Sequence, residues 1–332
     1  MLIRLSASQA LLVEGAMRRV ATAGGTRPLS DADRRALLAF DRFVLRRDGV
    51  LAVDALPAPS AAEVAAAVPA PGDRDHVVQF LIVMALVDGT VDAAKIDEVD
   101  AFAQALSVRE DAVRQLAEVG RGHLAWVRAD VARRNLHSIT GHDVGETIDA
   151  WILPYRARAD PALAARYRAL ADLPEGTLGR TFCEFYRANG FAFAGEPGGL
   201  NQRFASPHDA THILSGYDTT PQGELLVSTF TAGMHPKDPM SGHILPVILS
   251  WHLGIELAKL PGEVKGQLDP VKFWNAWERG SQVAVDVFAD EWNFWSAARE
   301  PLSSLRVQYR VPPLDPEFAA GGDVPPWYRP VA

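Results

Sequence analysis

Residues 206–233 read SPHDATHILSGYDTTPQGELLVSTFTAG, and this stretch predicts two helices joined by a tight turn. Ser206 followed by Pro207 is a typical helix start, with serine as the N-cap and proline as the first helical residue. Gly216 should end that helix, because glycine readily adopts the backbone conformation that follows a helix. The Asp-Thr-Thr-Pro sequence at residues 218–221 should begin a second helix. The stretch therefore predicts a helical hairpin.

The hairpin carries four side chains of the kinds that bind metal ions. Successive helical residues are rotated by about 100°, so Asp209 and His212 lie about 100° and about 40° around the helix from His208. Glu224 falls in the first turn of the second helix, from which a tight hairpin can bring it against the histidines. Two imidazoles and two carboxylates on facing helices suit a first-row divalent metal. We therefore predict a metal site at His208, Asp209, His212 and Glu224.

Each of these residues also has a simpler interpretation. Asp209 could form a capping interaction at the start of its helix, in which its carboxylate only reaches back to the backbone. Glu224 in a first helical turn could be favoured by the helix dipole alone. His212 could be a hydrogen-bonded residue of the core. All of these would have to coincide at one hairpin, which favours the metal site.

The whole chain predicts an all-α fold with two helical domains, residues 1–145 and residues 146–332. Helix-start signals and apolar residues at helical spacing recur in both parts, whereas alternating strand patterns of useful length do not. Gly141, Gly145 and Pro154 interrupt the pattern near the expected junction. The C-terminal domain should be a helical bundle that contains the metal-binding hairpin.

The N-terminal part contains FLIVMALVDGTVDAAKIDEVDAFAQALSV at residues 80–108, an apolar helix, an Asp-Gly turn and an amphipathic helix. This arrangement resembles the TerB-like family of small helical domains linked to tellurite resistance. The resemblance implies that acidic residues near the turn contact a divalent metal. The candidates are Asp88, Asp92, Asp97 and Glu98. The alternative is a solvated acidic first turn that the helix dipole favours.

Composition limits the classes of partner. The chain has 332 residues, is 48% hydrophobic and 22% charged, and carries a net charge of −8 with a pI of about 5.6. These values are typical of a globular protein with a core. The acidic balance argues against a nucleic-acid partner, which usually requires a basic face.

Cysteine use and hydropathy bear on location. The single cysteine, Cys183, excludes an internal disulfide and fits a reducing cytoplasm; it should be a small buried side chain. The longest apolar run, residues 77–87, is too short to cross a bilayer. Residues 1–16 lack a signal-peptide pattern. We expect a cytoplasmic protein that can contact the inner face of the membrane peripherally.

The hairpin motif, H-D-x-x-H-x(11)-E, resembles that of the family of coenzyme Q (ubiquinone) biosynthesis protein four. Two flanking segments are also similar to that family, LADLPEGTLGRTFCEFYRANGF at residues 170–191 and FADEWNFWSAAREPLSSLR at residues 288–306. The resemblance covers residues 161–306. The chain departs from the family pattern in its added N-terminal domain.

The resemblance implies an all-helical fold, a divalent metal and a prenylated quinone precursor as ligand. Family members are assigned oxidative decarboxylation of a polyprenylated aromatic acid at the ring carbon that bears the carboxylate, and a scaffold role for other quinone-biosynthesis enzymes. His208, Asp209, His212 and Glu224 match the metal motif one for one. Zinc is the first candidate for the ion, and iron, manganese or cobalt are alternatives.

A prenyl chain would need an apolar channel. Bulky apolar and small residues recur every three or four positions from residue 273 to residue 295, which predicts one long helix with a lipid-lining stripe. The candidate lipid-binding residues are Phe273, Trp274, Trp277, Ser281, Phe288 and Trp292. The alternative is an ordinary core stripe.

Two other functions compete with the quinone-pathway prediction. A metal-dependent phosphohydrolase of the His-Asp type would need a further histidine, such as His137 or His142, and a further aspartate, such as Asp238. A non-enzymatic lipid-binding scaffold would need only a structural metal, closed by four protein ligands. His243 and His252 have no partners by spacing and should be structural.

Overall fold

The computed structural model describes residues 3–47, 49, 51–124, 126–127, 130, 159–255 and 264–328. Within these ranges the chain is helical and forms no strand, which confirms the all-α prediction. Two compact units are present. Residues 1–131 and 244–278 belong to the first unit, and residues 132–243 and 279–332 belong to the second. The predicted boundary between residues 145 and 146 lies outside the described residues and stays a prediction.

The first unit begins with six helices. They are α1 Ala7–Ala21, α2 Asp31–Ala39, α3 Ala61–Ala67, α4 Pro71–Leu86, α5 Ala93–Leu106 and α6 Asp111–Gly120. The later described helices are α7 Pro161–Arg168, α8 Leu178–Asn189, α9 Gln202–Ser215, α10 Pro221–Met234, α11 Leu245–Val247, α12 Pro270–Ser281, α13 Phe294–Ala297 and α14 Leu302–Gln308.

Helix α4 forms the centre of the first unit. Every residue from Val77 to Leu86 is buried, so the helix is covered on all sides. An aromatic cluster extends this core: Trp274 of α12 packs edge-on against Phe40 and Phe80, with ring centroids 5.3 and 5.6 Å apart. Ser30 caps the start of α2, because its side chain accepts a hydrogen bond from the backbone of Asp33.

The acidic residues around the Asp-Gly turn have cationic neighbours within the first unit. Asp88 pairs with the buried Lys95 at 2.6 Å, Asp92 pairs with Arg27 at 2.5 Å, and Glu98 pairs with Arg19 at 2.8 Å. Among the described residues, none of these carboxylates belongs to a group of side chains close enough together to hold a metal ion. Three of the four candidate carboxylates are therefore ion-paired and largely buried, unlike those of a solvated acidic turn, and their contact with a divalent metal stays a prediction.

One predicted helix is wrong. The pattern from residue 273 to residue 295 predicts a single long helix, but α12 ends at Ser281. Beyond it the backbone amides have partners outside any helix: Ala284 N donates to the Tyr309 carbonyl, and Phe288 N donates to the Asp286 carboxylate. Phe288 and Trp292 therefore lie outside α12.

Candidate metal centre

Helix α9 begins earlier than predicted. The sequence predicts Ser206 as the N-cap, whereas the helix starts at Gln202, and the Asn201 side chain accepts a hydrogen bond from the backbone of Arg203. Asparagine is as good an N-cap as serine, so the earlier signal prevails. Pro207 consequently lies inside the helix. The histidines are thus held in the two middle turns of a four-turn helix.

The turn of the hairpin forms as predicted. Gly216 follows α9 with a φ of +88°, and Thr220 caps α10, in which Pro221 is the first residue. Gly223 has no room for a side chain, because a Cβ atom there would lie 2.1 Å from the carbonyl and carboxylate oxygens of Asp218. This close approach packs the turn against the first turn of α10, where Glu224 lies.

Three of the predicted ligands come together. The two histidine Nε2 atoms are 3.2 Å apart, and Glu224 oxygens lie 3.4 Å from His208 Nε2 and 3.5 Å from His212 Nε2. Bonds to a tetrahedral zinc ion separate neighbouring donor atoms by about 3.3–3.4 Å. The observed separations bracket that value. The cluster of His208, His212 and Glu224 could therefore hold a metal ion.

Hydrogen bonding prepares His212 for this role. Its Nδ1 atom lies 3.0 Å from the carbonyl oxygen of Tyr217, to which a protonated Nδ1 donates. The lone pair then lies on Nε2, which faces His208 and Glu224. A backbone partner on the second ring nitrogen is typical of metal-binding histidines, because it fixes the tautomer and the ring orientation. His208 is held by stacking on Phe204, with ring centroids 4.9 Å apart.

The electrostatics of the cluster favour a charged glutamate beside the imidazoles. Burial opposes ionisation of Glu224, but the charges of His212 and His208 and hydrogen bonds from both rings lower its pKa well below the usual value. Burial would likewise lower the pKa of His212, yet the charge and hydrogen bond of Glu224 raise it. Positive charge is thus favoured at the point between the three side chains, where a cation would bind.

Asp209 is not part of this three-residue cluster. Its side chain is buried, and its Oδ2 atom accepts a hydrogen bond of 2.5 Å from the hydroxyl of Tyr186 in α8. Burial raises the pKa of Asp209 and raises that of Tyr186 well above its usual value. The structure thus places the fourth predicted ligand in a contact with α8.

Two buried arginines that the sequence analysis missed hold the carboxyl end of α9. Arg306 donates from Nε to the Leu214 carbonyl and from Nη2 to the Ile213 carbonyl. Arg279 donates from Nη2 to the carbonyl of Ser215 at 2.8 Å. Carbonyls in the last turn of a helix lack helical partners and form the negative end of its dipole, so buried guanidinium groups satisfy and stabilise them.

The predicted lipid-binding residues are divided between the units. Phe273, Trp274 and Trp277 are buried in the first unit. Ser281 ends α12, and Phe288 and Trp292 follow in the second unit, where Trp292 Nε1 donates to the Tyr309 hydroxyl. Their lipid-binding role stays a prediction.

His252, His243 and Cys183 have structural contacts. His252 accepts from the backbone N–H of Leu268 through Nδ1, and its Nε2 atom lies 3.1 Å from the Val87 carbonyl. His243 is buried beside His235, and burial lowers its pKa to about 3. Cys183 is buried, as predicted. His137 and His142 lie outside the described residues.

Comparison with known proteins adds no family assignment. No family model matches the chain, and no curated protein matches it in sequence. Among the helices that the structure describes, none combines the length and the apolar character needed to cross a bilayer.

Proposed function

We propose that this chain is a divalent-metal protein of quinone biosynthesis that binds a polyprenylated aromatic acid. The observation that carries the proposal is the cluster of His208, His212 and Glu224, whose donor separations suit one tetrahedral ion. The motif that brings these residues together is the one shared with the coenzyme Q biosynthesis protein four family. Zinc is our first choice of ion, because two imidazoles and a carboxylate are common zinc ligands.

The residues of the chain supply positioning and charge for such a ligand. A divalent ion at the cluster would act as a Lewis acid toward an anionic oxygen, such as the carboxylate of an aromatic acid. Tyr217 fixes the His212 ring through its backbone carbonyl, and Phe204 supports the His208 ring. Loss of the ring carboxylate as carbon dioxide would need that carboxylate held in a fixed orientation. The oxidative form of the reaction would also need dioxygen and a redox-active ion such as iron, because zinc has no redox role.

The His-Asp phosphohydrolase is less well supported. Such an enzyme would need a further histidine and aspartate at the metal, and Asp238 is not in the metal-binding group found among the described residues. A non-catalytic scaffold could have the same three-residue cluster. A metal ion whose coordination positions are all filled by protein ligands would favour the scaffold over the enzyme.

The first experiment is elemental analysis of purified full-length protein, together with extraction and mass spectrometry of co-purified lipid. We expect about one divalent ion per chain and a prenylated aromatic compound. The double variant His208→Ala, His212→Ala should lose the ion, since a single carboxylate cannot hold it. His123→Ala is the matched control, because this histidine is 62% exposed and lies in the first unit. Retention of the ion by the double variant would overturn the metal site.

A further inference from the structure

Asp209 and the two clustered histidines all lie on α9, whereas Glu224 lies on α10. Around α9, Asp209 is about 100° from His208 and about 60° from His212, so it lies to one side of the two histidines. Tyr186 of α8 contacts Asp209, and Glu224 of α10 contacts the two histidines. The two carboxylates of the motif therefore have different partners.

The contact between Tyr186 and Asp209 is tightly enclosed. Tyr186 is 3% exposed and Asp209 is 6% exposed, and the hydroxyl and carboxylate oxygens are 2.5 Å apart. A hydrogen bond from a hydroxyl to a carboxylate is strong, and breaking it would leave a buried charge without its donor. If Asp209 coordinated the metal instead, that bond would have to compensate for the free energy lost with the Tyr186 hydrogen bond.

We propose that Asp209 is a positioning residue outside the coordination shell, so that the protein supplies three ligands and leaves one position of the metal open. This inference rests on the proposed metal site and specifies its ligand set. His208, His212 and Glu224 would define three corners of a tetrahedron, and an exchangeable ligand would occupy the fourth.

The charge of this site selects the class of exchangeable ligand. Two neutral imidazoles and one carboxylate leave a divalent ion with a net charge of about +1, which favours one anionic oxygen or nitrogen donor. Coordination by Asp209 as well would cancel the remaining charge and fill the corner. The three-ligand site should therefore bind small anions, including the carboxylate of an aromatic acid, directly.

Cobalt(II) tests the ligand set, because its visible absorption reports coordination number and ligand exchange. Metal-free full-length protein would be titrated with cobalt in three forms: wild type, Asp209→Asn and Glu224→Gln. Asparagine keeps an oxygen that can accept from Tyr186. We expect Asp209→Asn to bind one cobalt with a wild-type spectrum and an affinity reduced at most about 10- to 100-fold, the usual effect of an outer-sphere partner. Glu224→Gln should lose stoichiometric binding.

Azide added to the cobalt protein tests the open position without any variant. A spectral change that saturates with azide is expected for the wild type and for Asp209→Asn. An unchanged spectrum after azide addition would overturn the inference and leave the metal site itself intact. The same holds if Asp209→Asn loses cobalt as completely as Glu224→Gln while keeping wild-type thermal stability. Failure of the wild type to bind cobalt would instead overturn the proposed metal site, and the inference with it.

Discussion

Arg47 lies between two acidic side chains in the first unit. Its Nη2 atom donates to Glu14 Oε1 at 2.5 Å, and its Nε atom donates to Asp41. Glu14 is fully buried, and its second oxygen has no hydrogen-bond partner among the described residues. Burial raises the pKa of Glu14 to about 7, even though the hydrogen bond and charge of Arg47 act in the opposite direction.

This raised pKa predicts a pH-dependent stability. Between about pH 4.5 and pH 7, the unfolded chain releases the Glu14 proton while the folded chain keeps it. The contribution of Glu14 is therefore complete below about pH 4.5 and is lost as the pH rises through 7. The free energy of unfolding should therefore fall by an amount on the order of 3 kcal/mol between pH 4.5 and a pH above 7.

Glu14→Gln should flatten that part of the profile, because glutamine does not titrate. Urea unfolding at pH values from 4.5 to 8 measures the effect. Asp97→Asn, a change at an exposed carboxylate of the same unit, should leave the slope unchanged. An identical slope in wild type and Glu14→Gln would show that this residue does not cause it.

At the scale of elements, the hairpin depends on a close approach at its turn. The backbone of Gly223 lies against Asp218, whose carboxylate also accepts hydrogen bonds from the backbone and hydroxyl of Thr220. The next residue is Glu224, so a shift of the turn would displace one of the three proposed metal ligands. The turn therefore sets the position of Glu224 relative to α9.

Gly223→Ala should weaken metal binding by about tenfold or more, because an added Cβ forces the turn and Glu224 apart. Cobalt or zinc titration measures the affinity. Gly72→Ala is a matched control: Gly72 also lies in the first turn of a helix that begins with proline, but a Cβ there would meet nothing within 4 Å. Equal affinity in the wild type and Gly223→Ala would show that the turn tolerates the change.

Local signals predicted most of this hairpin. Gly216 and the Thr220-Pro221 pair act on the backbone within one turn of themselves, so their effects can be read from the sequence. The end of α12 was missed because the amide of Ala284 bonds to Tyr309, which is distant in sequence. The contact of Asp209 with Tyr186 was missed for the same reason. Helix periodicity predicts the face of a side chain and not its partner.

At the scale of the molecule, the compact units do not follow the order of the chain. Residues 244–278 belong to the first unit although they follow the metal hairpin in sequence. Their aromatic residue Trp274 is fully buried against Phe40 and Phe80. Glycines and prolines in a sequence indicate where a chain is interrupted, but they do not indicate which later segments return to an earlier core.

A fragment of residues 146–332 should therefore be poorly soluble when expressed alone. It would lack Phe40 and Phe80 and would expose Trp274 and its neighbours, at a cost of about 1.5–3 kcal/mol for each large apolar side chain. Co-expression of residues 1–145 should restore solubility. Size-exclusion chromatography and thermal unfolding of both preparations measure this. A soluble, monomeric fragment with cooperative unfolding would contradict the expectation.

The arginines at the end of α9 have a consequence for synthesis on the ribosome. Arg279 follows its partner Ser215 by 64 residues, and Arg306 follows Ile213 by 93 residues. Helices α9 and α10 therefore leave the ribosome well before Arg279 and Arg306, whose guanidinium groups bind the last carbonyls of α9. A premature stop codon between these arginines would leave all the ligand residues in place and remove the Arg306 contacts. A nascent chain should thus form a firm metal site only after Arg306 has left the ribosome.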